Sequence, residues 1–94
     1  MHYSEKDKEL RIYFSELGRY DDMELLYKRF EKNVNARVYD KIEGPYSKIW
    51  FIVIQDKKFK LIVDEDYGSM LVAEDSGSIQ VAKSLIKELD KFIQ

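Results

Sequence analysis

Between Lys48 and Val63 the chain runs through two apolar stretches, Ile49-Trp50-Phe51-Ile52-Val53-Ile54 and Phe59-Lys60-Leu61-Ile62-Val63, separated by polar Gln55-Asp56-Lys57-Lys58. β-Branched and aromatic residues dominate both stretches, and each is too short for a buried helix, so they read as paired strands joined by a turn. The first is apolar in both side-chain directions. It therefore calls for cover on both faces, by helices on one side and by a partner or an aromatic lid on the other.

The rest of the chain supplies the helices and the remaining strands. Residues 1–8 read as a mobile tail, and Glu9 to Ser15 alternates Leu10, Ile12 and Phe14 against Arg11, Tyr13 and Ser15, which favours a strand. A helix stays open there, because Ser4 and Asp7 have capping-box spacing and Leu10, Phe14 and Leu17 share a helical face. Gly18 breaks the pattern. Asp21 with Glu24 then reads as N-cap and partner of a helix carrying Met23, Leu26, Tyr27, Phe30 and Val34 on one face, closed by Asn33 or Asn35.

Ala36 to Glu43 alternates weakly as a further strand, Gly44-Pro45 turns the chain, and Met70 to Ala73 forms a short last strand after the turn at Asp64-Glu65-Asp66-Tyr67-Gly68. From Ser76-Gly77-Ser78 onwards, Ile79, Ala82, Leu85, Ile86, Leu89, Phe92 and Ile93 trace one amphipathic helix to the C-terminus. The expected architecture is a single α+β domain over 1–94 in the order β-α-β-β-β-β-α. It is an antiparallel meander of four to five strands with two helices packed on one face.

Composition excludes several classes of chemistry. A net charge of -2 gives no general attraction to nucleic acid or to an anionic membrane. Cysteine is absent, so disulfides, thiolate metal sites and cysteine nucleophiles are ruled out. The only histidine, His2, lies in the expected tail, which leaves no histidine base for a catalytic triad. The four glycines are scattered singly, so no phosphate-cradling loop forms. Counted from Asp64, Gly68 and Asp75 stand where an EF-hand needs other residues, so no metal site or cofactor is expected. No apolar run is long enough to span a membrane and residues 1–8 lack the apolar core of a signal peptide, which leads to the expectation of a cytoplasmic protein that is not an enzyme.

The turns after Glu43 and after Val63 are alternate turns of a meander and share an end. Tyr46 and Trp50, near Gly44-Pro45, would there meet Asp64, Glu65, Asp66 and Tyr67, with Tyr39 not far away. Aromatic anchors beside carboxylates suit a basic protein partner, although the same rings can simply complete the core. The small acidic chain with no catalytic set, bearing tyrosines and carboxylates on a helix-backed meander, resembles in type the bacterial immunity proteins that neutralise nuclease toxins, and Gly44-Pro45-Tyr46-Ser47-Lys48-Ile49-Trp50 with Asp64-Glu65-Asp66-Tyr67-Gly68 resembles a pattern of small bacterial α+β proteins. That resemblance implies an inhibitor that covers the basic active site of a toxin domain. The other expectation is a homo-oligomeric regulatory or small-ligand-binding module that buries the second face of Ile49 to Ile54 against another copy.

Overall fold

The computed structural model describes residues 1–14 and 16–93, so Ser15 and Gln94 lie outside the described residues. It is an α+β fold built on one six-stranded antiparallel sheet with spatial order β1-β2-β6-β5-β4-β3. The strands are β1 (His2–Lys6), β2 (Glu9–Phe14), β3 (Arg37–Glu43), β4 (Ser47–Ile54), β5 (Lys57–Asp64) and β6 (Gly68–Ala73), and the helices are α1 (Met23–Val34), α2 (Ser76–Ser84) and α3 (Ile86–Ile93). The expected meander is β3 to β6, and β2 closes onto β6 with Ile12 opposite Leu71.

Period-two alternation sets which side is core. Leu10, Ile12 and Phe14 of β2, Phe59, Leu61 and Val63 of β5, and Trp50, Ile52 and Ile54 of β4 are buried together with Met23, Leu26 and Phe30 of α1 and Leu89 and Ile93 of α3. All three helices thus contribute to one core on one face of the sheet.

Four expectations are corrected. The tail is instead an edge strand, β1, turned onto β2 by Asp7 and Lys8, whose φ angles of 54° and 65° make a two-residue hairpin turn. Every β1 residue is exposed, so the strand leaves no hydrophobic signature in the sequence. His2 belongs to it and stacks on Tyr13 at 4.8 Å. The β4–β5 turn is Gln55-Asp56 alone, at φ 52° and 63°, and Lys57 and Lys58 belong to β5.

Helix α1 begins at Met23 after a short 3-10 turn at Tyr20–Asp22, without the Asp21 cap; Asp22 instead accepts a bond from the Arg19 N–H at 3.0 Å. Its other end is the expected one, with Asn35 left-handed at φ 56°. The C-terminal helix is split at Leu85. There the Ser84 hydroxyl donates to Val81 O at 2.6 Å, and the Leu85 N–H turns to both Val81 O and Ala82 O, which tightens and bends the chain.

Asp75 caps α2 by accepting the Ser78 N–H at 2.8 Å, and this bond holds its carboxyl below the usual aspartate range. A depressed folded-state pKa gives stability that is present above the unfolded value and lost as pH falls through the folded one. Asp75→Ala should therefore lower the melting temperature at neutral pH. Thermal melts across a pH series should show the gap to the parent closing as the pH drops below the ordinary aspartate range.

Candidate functional site

Three loops converge at one end of the sheet: the β3–β4 turn at 44–46, the β5–β6 turn at 65–67, and the segment 16–22 that leads from β2 into α1. The Glu65 N–H donates to Tyr46 O at 2.9 Å, so the two turns expected to share an end are directly bonded. Tyr20 fastens the third loop to both. Its N–H donates to Glu65 Oε1 at 3.2 Å and its hydroxyl to Gly44 O at 2.8 Å.

Local chemistry shapes each turn. Asp64 Oδ1 accepts the N–H groups of Asp66 and Tyr67 at 2.8 and 3.1 Å, an Asx turn that ends at Gly68 with φ 80°. Gly18 lies so close to this turn that a Cβ on it would stand 3.2 Å from Gly68 Cα. Buried Ser69 completes the join, its hydroxyl donating to Glu16 O at 3.0 Å.

The result is an acidic surface with two outward aromatic side chains. Tyr46 and Tyr67 are 71% and 77% exposed, and the three bonded loops also carry Glu16, Asp21, Asp22, Asp64, Glu65 and Asp66. Arg19 and Lys48 are the nearby cations. The Lys48 ammonium is already engaged, 4.4 Å from the Tyr20 ring centre and 3.8 Å from Glu43.

Trp50 does not join this surface. It is 3% exposed on the helix side of β4, 5.4 Å from the Tyr27 ring, with Lys41 Nζ 3.9 Å above its own ring and its indole N–H donating to Glu43 at 3.3 Å. A signal for this existed in the sequence. Lys60 alternates with Phe59 and Leu61, and a two- or four-residue turn equally places Trp50 on the face of Leu61. Tyr39, by contrast, is half exposed on the opposite face, near Phe51.

Tyr20 and the carboxylates of 16–22 are the residues that sequence reasoning missed. Gly18, set between Glu16 and Asp21, was the only hint, because their place depends on contacts with distant turns. Among the described residues no cluster of three or more His, Asp or Glu side chains is arranged to hold a metal ion. An open cleft of about 640 Å³ lies between the β1–β2 hairpin and α2, but the Glu5–Lys83 pair at 2.7 Å crosses it, and no set of polar groups converges there on a ligand. Also among the described residues, no helix is long and apolar enough to cross a membrane. Comparison with protein families, with curated proteins and with solved structures finds no match.

Proposed function

We propose that this chain is a non-enzymatic binding protein whose acidic, tyrosine-bearing end covers a basic surface on a partner protein. The observation that carries this reading is the pair of outward tyrosines, Tyr46 and Tyr67, on turns bonded to one another through Glu65 and Tyr46. Tyrosine offers a large contact area with few rotatable bonds, and loops already tied together lose little freedom on binding. The surrounding carboxylates speed the approach of a basic partner and disfavour acidic ones. The resemblance in type to immunity proteins supports a nuclease toxin as that partner, held inactive in the cytoplasm by occlusion of its phosphate-binding cleft.

Capture from lysate of the source cells with tagged protein, washed at low and high salt, should recover one basic protein near equal stoichiometry, retained less at high salt. Against that purified partner, Tyr46→Ala and Tyr67→Ala should each weaken binding by about 2 kcal/mol, roughly thirtyfold. Undiminished affinity in a variant with Tyr46, Glu65, Asp66 and Tyr67 all changed to Ala would remove this surface from consideration.

A further inference from the structure

The face of the sheet turned away from the helices carries an apolar line across five strands. Cross-strand pairing sets Ile42 opposite Ile49, Ile49 opposite Ile62, Ile62 opposite Met70, and Met70 opposite Tyr13. At ~4.8 Å between strands the line is ~19 Å long. Met70 and Val72 are 5% and 3% exposed yet stand outside the helix-side core. Ile42, at the end of the line, is 55% exposed.

The two sides of this line are complementary to each other. On β5, Lys60 and Asp64 flank Ile62; on β4, Phe51 and Ser47 flank Ile49; on β6, Val72 and Gly68 flank Met70. One side is basic and bulky. The other is acidic and small.

We propose that a second copy of this chain docks on this face, with the two-fold axis running along the apolar line. A half-turn about that line sets each of its residues against its own counterpart and reverses the strand direction. Lys60 then lies over Asp64 of the second copy, Phe51 over Ser47 and Val72 over Gly68, so charge meets opposite charge and bulk meets space. An axis along the strands would instead place Lys60 over Lys60. The arrangement is an aligned, isologous packing of two sheets, ~10 Å apart. Lys60 is held on the face by Glu74 at 2.9 Å, a partly exposed pair that leaves the ammonium free to take a second carboxylate. Asp64 and Gly68 belong both to this surface and to the turn that builds the acidic end.

Sedimentation equilibrium on the purified chain, from low micromolar to submillimolar concentration, tests the proposal. The parent should be a dimer. Ile42→Asp, which sets two carboxylates face to face at an exposed position, and Lys60→Glu, which sets Glu against Asp64, should each raise the dissociation constant about tenfold or more. Circular dichroism should show both variants folded, and Tyr46→Ala should leave the dimer unchanged. A parent that stays monomeric throughout the range, or a dimer indifferent to both charge variants, overturns the proposal.

Discussion

Replacing Phe30 by Ala should destabilise the fold by about 3–5 kcal/mol. The ring is fully buried, tilted against Phe14 of β2 at 5.9 Å and edge-on to Phe92 of α3 at 5.3 Å, so it joins α1 to the sheet and to the last helix at one point. The three rings belong to three separate elements, and collapse of the space left behind would require both neighbours to move. The aromatic geometry itself contributes about 0.5–1.5 kcal/mol beyond the buried area. For a domain with a total stability of about 5–15 kcal/mol, the loss is a third or more. Urea denaturation should show a lower midpoint with an unchanged slope. A loss below about 1 kcal/mol would mean that the three rings do not pack as described.

Trp50→Ala should be comparably severe, at about 3–5 kcal/mol, whereas Tyr46→Ala on the neighbouring turn should change stability by no more than about 0.5 kcal/mol. The contrast follows from exposure, 3% against 71%. Removing the indole also leaves the Tyr27 ring without its neighbour and Lys41 without the ring beneath its ammonium. Tyr27 is a costly residue to loosen: its hydroxyl accepts the Val38 N–H at 3.1 Å and donates to Ala36 O at 3.3 Å, pinning the start of β3 to α1. Parallel urea titrations of the two variants test this directly. Equal losses would place Trp50 at the surface after all.

The same pair of residues shows how far the site could be read from the chain. Tyr46 and the carboxylates of 64–66 were legible as a shared end, because meander geometry brings alternate turns together and Gly44-Pro45 and Gly68 mark where those turns fall. Trp50 was misplaced by proximity in sequence to Gly44-Pro45, although its position relative to Lys60 assigns it to the core face. Tyr20 carried no local mark at all. Its role consists of two hydrogen bonds to turns remote in the chain, and residue type and spacing do not encode such contacts.

By itself the sequence determined the α+β class, the β3 to β6 meander and an α1 closing at Asn33 or Asn35. Those features rest on local periods of two and 3.6 residues and on turn residues whose backbone preferences act over a few positions. Only the tertiary structure decided that the exposed first strand pairs with β2, that β2 closes onto β6, that the last helix breaks at Leu85, and that the loop of 16–22 completes the acidic end. The first of these rests on a hairpin turn at Asp7 and Lys8 that carries no hydrophobic mark, and the others on hydrogen bonds between distant segments or competition at one carbonyl. The long-range partner, and not the local pattern, sets the lower free energy there.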